Sequence, residues 1–139
     1  MRRLALGDVV SVSAAKAWAV IGDFSGMHKW APIVEAESTE VTPKGKVRTL
    51  TIKGGRTVVE LMTSEGPHHY TYTLDRADMT HYASTVSVVP VDDASCRIEL
   101  VLDYEPGEGV DMTEATDGFL KFLGGNLKAM KRAVAAANA

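Results

Sequence analysis

Six runs of the chain, residues 33–41, 46–53, 56–64, 68–75, 81–90 and 95–104, are rich in Val, Thr, Ile and Tyr, and turn-forming residues separate them. β-Branched and aromatic side chains fit a pleated, half-buried surface. The separators, Pro43–Gly45, Gly54-Gly55, Glu65–Pro67, Ala77-Asp78 and Asp92–Ala94, are the residue types that tight reversals use. Links this short leave no room for the crossover that parallel strands need, so consecutive runs must pair antiparallel. A six-stranded meander is therefore the frame into which the rest of the chain must fit.

Before the meander, Leu4–Val12 reads as a further strand, and Ser13 is placed to cap a helix. Trp18, Val20, Ile21 and Phe24 supply apolar bulk along this stretch, and Gly22-Asp23 stops the helix. Asp23 can cap a second short piece, which Ser25-Gly26 interrupts and Pro32 closes after Met27–Trp30. Beyond Pro106–Gly109 the period changes. Met112, Ala115, Phe119, Phe122, Leu123, Leu127, Met130 and Val134 recur at three and four residues, which predicts one long amphipathic helix, with the tail AVAAANA fraying. The order strand, two short helices, six strands, long helix predicts an α+β fold: one domain over residues 1–139, in which the long helix covers one face of a seven-stranded antiparallel sheet. A sheet curled around that helix would enclose a cavity.

Composition removes several function classes. A formal charge of -3 and a pI near 5.8 provide no basic field for nucleic acid. No apolar run approaches the ~20 residues of a membrane helix. The Arg2-Arg3-Leu-Ala-Leu start is cut by Asp8 too early for a signal peptide. With Cys96 as the lone cysteine, a cytoplasmic protein is expected. His28, His68, His69 and His81 lack the supporting ligand spacing of a metal site. Gly54-Gly55 joins two strands rather than opening a helix, so it cradles no phosphate. Ser84 and Thr85 lie mid-strand, where no nucleophile elbow can form. Neither metal nor cofactor is called for.

Strand parity sorts the remaining candidates. Arg48, Leu50 and Ile52 share the more apolar face of their strand and are expected inside. For the next strand two registers are open. A two-residue loop at Gly54-Gly55 would bring Thr57, Val59 and Leu61 inside. A three-residue loop or a bulge would instead bring in Val58, Glu60 and Met62, with Glu60 directly across from Arg48. Tyr70 and Tyr72, then Tyr82 and Ser84, then Leu100, Leu102 and Tyr104 fall on inward parities. On the helix Phe119, Phe122 and Asn126 face the sheet, with Asn126 as the polar contact from that side. Gly118, Gly124 and Gly125 would give space, allow close approach of a strand, or kink the helix.

The blocks WAVIGDFSGMHKWAPIV, KVRTLTIKGGRTVVELM, YTYTL, HYASTVSVVP and CRIELVLDYEP resemble, in order, those of the START-like or Bet v 1-like (SRPBCC) superfamily. The nearest group is its bacterial polyketide cyclase/dehydrase and lipid-transport family. This resemblance implies a helix-grip fold, with a curved sheet gripping the C-terminal helix around a pocket for a small hydrophobic molecule. It favours the register that faces Glu60 with Arg48, and it adds Trp30 to the candidate lining. Glu60, Tyr82 and Ser84 resemble ligand-contacting positions of plant hormone receptors, whereas Leu100 stands where many relatives carry tryptophan. Two functions fit: a binding, transport or sensing module anchored by Arg48 and Glu60, or a cyclase/dehydratase using Glu60 as acid/base beside Arg48 and the tyrosines. Pairing with Arg48 is expected to keep Glu60 ionised, which favours binding. A protein partner or a homodimer is compatible with either.

Overall fold

A computed structural model describes the whole chain, Met1 to Ala139. Its elements are β1 (Arg2–Val10), α1 (Ala14–Ile21), a 3-10 segment (Phe24–Lys29), β2 (Val34–Thr42), β3 (Gly45–Ile52), β4 (Arg56–Gly66), β5 (His69–Thr73), β6 (Met79–Asp92), β7 (Ser95–Pro106) and α2 (Met112–Ala137). All seven strands form one antiparallel sheet in the order β1-β7-β6-β5-β4-β3-β2. The meander is continuous from β2 to β7. β1 then closes beside β7, which leaves β1 and β2 as the two edges.

Caps fix where the helices begin. The side chains of Ser13, Asp23 and Asp111 accept the backbone N–H of Lys16, Ser25 and Glu114 respectively, each satisfying a donor that the first turn leaves unpaired. Gly22 ends α1 by donating its N–H to the Trp18 carbonyl, and a Cβ there would collide with the Trp18 indole. The 3-10 segment breaks at Gly26 (φ -118°, ψ 24°) into the two short pieces expected. Helix α2 buries Phe119, Leu123, Asn126, Met130 and Val134 at three- and four-residue intervals. Its alanine tail does not fray: the helix runs to Ala137, and the Asn138 side-chain amide donates to the Val134 carbonyl. Alanine has the highest helix propensity of any residue, so this tail needs no packing to continue the helix.

The loop between β3 and β4 decides the parity left open above. Ile52 pairs with Arg56 and Arg48 with Glu60, so Lys53-Gly54-Gly55 is a three-residue loop. Gly54 and Gly55 sit at φ +97° and +86°, where any other side chain would be strained. Val58, Glu60 and Met62 therefore face inward, and Thr57, Val59 and Leu61 outward.

At one end the sheet comes apart. Pairing of β4 with β5 starts only at Leu61 with Thr73, so Arg56–Glu60 have no partner strand on that side. The chain leaves the sheet after Thr73, loops through residues 74–78 and re-enters as β6 at Met79. Helix α2 contacts β1 and β7, and α1 contacts β6, β7 and α2. The two helices thus fill the β1-β7-β6 part of the curved face, the 3-10 segment covers Arg48 on β3, and the ends of β3 and β4 nearest the 74–78 loop stay open.

Candidate functional site

Arg48, on β3, lies beneath the 3-10 segment, and its side chain is 1 % exposed. Nε donates to Glu60 Oε1 at 2.7 Å and Nη1 to the Phe24 carbonyl at 3.0 Å. The guanidinium carbon is 4.2 Å from the Phe24 ring centroid, 4.8 Å from Tyr72 and 5.7 Å from Tyr70. Three aromatic faces, a carbonyl and a carboxylate thus replace its hydration. Phe24 supplies both a ring and a carbonyl because Asp23 caps the segment at that point.

Glu60, 5 % exposed at its side chain, accepts only from Arg48 within the protein. Burial raises its pKa above the ordinary carboxylate range. The Arg48 charge and hydrogen bond oppose that shift, and the negative charge of Glu37 adds to it. The expectation that the arginine would keep this pKa low is therefore corrected: desolvation is the larger effect.

Glu37 is a member of this group that strand parity alone does not pick out, because the surrounding EAESTE reads as a solvated edge strand. Its side chain is 2 % exposed, and Oε1 lies 2.9 Å from the His28 backbone N, which donates to it, and 2.7 Å from His28 Nδ1. Oε2 and the Tyr70 hydroxyl are buried without partners.

Next to this cluster lies a cavity of about 1280 Å³ between β3, β4, the 74–78 loop and the first half of α2. Leu50, Ile52, Val58, Glu60, Tyr82, Phe119 and Phe122, all expected at the site, line it. Met27, Leu74, Val110 and Ala115 extend the apolar wall, and exposed Arg56, Thr57, Val59 and Asp75 border the mouth at the unpaired end of β4. Arg76 lies 5.0 Å from the Phe119 ring centroid and 5.8 Å from that of Tyr82, and it forms two hydrogen bonds to Asp78. The Tyr82 phenol has no protein partner, and burial together with the Glu60 charge pushes its pKa up to about 12. Gly118 faces the cavity with open space where a Cβ would be. Helix α2 is continuous past Gly124 and Gly125.

The remaining expected residues are placed elsewhere. Arg48, Tyr70 and Tyr72 pack behind Glu60, while Met62, Ser84, Leu100, Leu102 and Tyr104 are buried in the core without lining the cavity. Tyr104 instead bonds Thr116 and packs edge-on to Phe119. Asn126 is buried away from the cavity. Trp30 faces a separate shallow groove with Gly125, Ala129 and Ala133. Arg48, Tyr70 and Tyr72 are covered by Phe24 of the 3-10 segment; the corrections on β6 and β7 have another cause. Parity places a side chain on the inner face, but the helices already occupy the β1-β7-β6 part of that face.

A seven-stranded antiparallel sheet gripping a long C-terminal helix, with short helices after the first strand, is the helix-grip fold of START-like proteins. Residues 4–135 match the family described as polyketide cyclase / dehydrase and lipid transport, and the chain belongs to that family. No curated protein matches it. Among solved structures it is similar to the protein XoxI from Bacillus cereus, with 26% identity over 100% of this chain and 99% of that one and a TM-score of 0.84. A START superfamily protein from Mycobacterium smegmatis shares 17% identity over 96% and 97% of the two chains, with a TM-score of 0.79. Zhui aromatase/cyclase from Streptomyces sp. R1128 shares 18% over 99% and 93%, with a TM-score of 0.73. The last two likenesses concern the fold.

Proposed function

We propose that the protein binds a small hydrophobic molecule, such as a lipid, a polyketide or another aromatic compound, in the cavity beside Glu60, to carry or sense it. One observation supports this reading above the others. A mostly apolar wall holds two buried polar groups with unused hydrogen-bonding capacity, Glu60 and Tyr82, the arrangement that orients a ligand in a small-molecule site. Mass spectrometry of the freshly purified protein, native against denatured, tests it. A stoichiometric small molecule released on denaturation supports the reading. An empty protein to which no hydrophobic probe binds removes it.

A second reading, a cyclase or dehydratase, draws on the raised pKa of Glu60, since a carboxyl that holds its proton nearer neutrality is better matched to acid/base work. There Glu60 moves the proton and Tyr82 holds an enolate-like oxygen. Glu60→Gln separates the two readings on any ligand found: a carrier still binds, weaker only by what the Glu60 contact contributes, and has no turnover to lose, whereas an enzyme loses turnover and still binds.

A further inference from the structure

Resting on that reading of the cavity, we propose that its ligand carries a neutral hydroxyl, phenolic or alcoholic, at the buried end, and that carboxylic acids of the same skeleton are rejected. At depth the cavity offers few polar groups. Of the polar side chains that line it, only Glu60 and Tyr82 are buried. Glu60 is an acceptor with one of its oxygens engaged. Tyr82 has a free phenol. A ligand hydroxyl can donate to the Glu60 carboxylate and accept from the Tyr82 phenol, so it satisfies both with one oxygen.

An arginine in a cavity wall would ordinarily be read as a carboxylate anchor. Arg48 is not available for that role. It does not line the cavity, its Nε and Nη1 donate to Glu60 and the Phe24 carbonyl, and rings cover its faces. Arg76, which does line the cavity, is held by Asp78 through two hydrogen bonds of 2.9 and 2.8 Å. The free cations, Lys44 and Arg56, are exposed at the mouth, and Asp75, Asp111 and Glu114 line the same opening. A ligand carboxylate at depth would therefore meet Glu60 with no cation to spare. An ammonium would add a second positive charge to the one carboxylate that already neutralises Arg48. A hydroxyl adds no charge and forms a charge-assisted hydrogen bond.

The test uses four probes on one skeleton, 2-naphthol, 2-methoxynaphthalene, 2-naphthoate and 2-naphthylmethylammonium, titrated calorimetrically into the intact protein at neutral pH. The expected result is 2-naphthol at least ~10-fold tighter than its methyl ether, with both charged probes weaker than the ether. In Glu60→Gln the preference for naphthol over the ether should fall below ~3-fold. Naphthoate should gain, because the Arg48 charge is then uncompensated. If the ether matches naphthol, or either charged probe equals it, in the unmodified protein, the inference is overturned while the cavity reading stands. If none of the four binds, the cavity reading falls and the inference with it.

Discussion

Replacing Arg48 by methionine removes a cation of similar reach and leaves the Glu60 carboxylate in a site with no other donor. The loss has three parts. A hydrogen bond between two charged groups disappears, the Phe24 carbonyl loses its Nη1 donor, and three aromatic rings lose the guanidinium they enclose. Breaking a buried pair from one side costs about 3–5 kcal/mol, most of it the penalty of the charge left behind. Arg48→Met should therefore lower unfolding free energy by that amount at neutral pH, read as a shift in urea midpoint at unchanged slope. The double variant Arg48→Met/Glu60→Leu should recover to within about 1 kcal/mol of the unmodified protein, because an apolar pair of similar volume substitutes well for a buried ion pair. The sign of the pH dependence follows from the position of Glu60. Burial already raises its folded-state pKa, and loss of Arg48 removes the opposing effect. The folded variant therefore holds the Glu60 proton to higher pH than the unfolded chain does. That stabilisation is complete below the ordinary glutamate range near ~4.3 and is lost as pH rises through the raised value. The deficit of Arg48→Met should accordingly shrink on acidification. A single variant that loses less than about 1 kcal/mol, or a double variant no better than the single, would refute the reasoning.

Gly118 sits mid-helix, exposed at the cavity wall with no atom within 4 Å of a Cβ position. Gly118→Ala should raise stability by about 0.5–1 kcal/mol in thermal or urea unfolding, whereas Gly118→Leu should keep the fold and reduce binding of any hydrophobic probe that the cavity takes. Cys96 is fully buried and burial pushes its thiol pKa up, so iodoacetamide should label it at the rate of global unfolding. Rapid labelling of the native protein would show that this end of β7 opens locally.

The fold was legible because its signals are local. Turn residues separate β-patterned runs, Ser13 and Asp23 start the short helices, and α2 carries a helical period. The site was legible only in part. Parity put Leu50, Ile52, Tyr82 and Glu60 on the inner face, but Glu60 depended on a loop length that two glycines leave ambiguous. Phe24 over Arg48 is a contact between residues 24 positions apart, and no periodicity announces it. Glu37 hides in an acidic edge strand because its burial comes from His28 folding across it. Leu100, Leu102 and Asn126 are inward as expected yet away from the cavity, because helix placement over the sheet is a property of tertiary packing.

The Lys53-Gly54-Gly55 loop makes the chemistry of the cavity depend on a count of residues as well as on their identity. Closing the same residues as a two-residue loop, with Lys53 paired to Arg56 and β3 held in place, would slide β4 by one position. Val59 and Leu61 would then turn inward and Glu60 out to water, since side chains alternate along a strand. Arg48 would face a hydrocarbon wall with its charge unanswered. A relative with a shorter loop could keep every side chain named here and still require a different molecule. Loop length at this hairpin is therefore the first thing to compare among members of the family, before any residue-by-residue match of pocket positions.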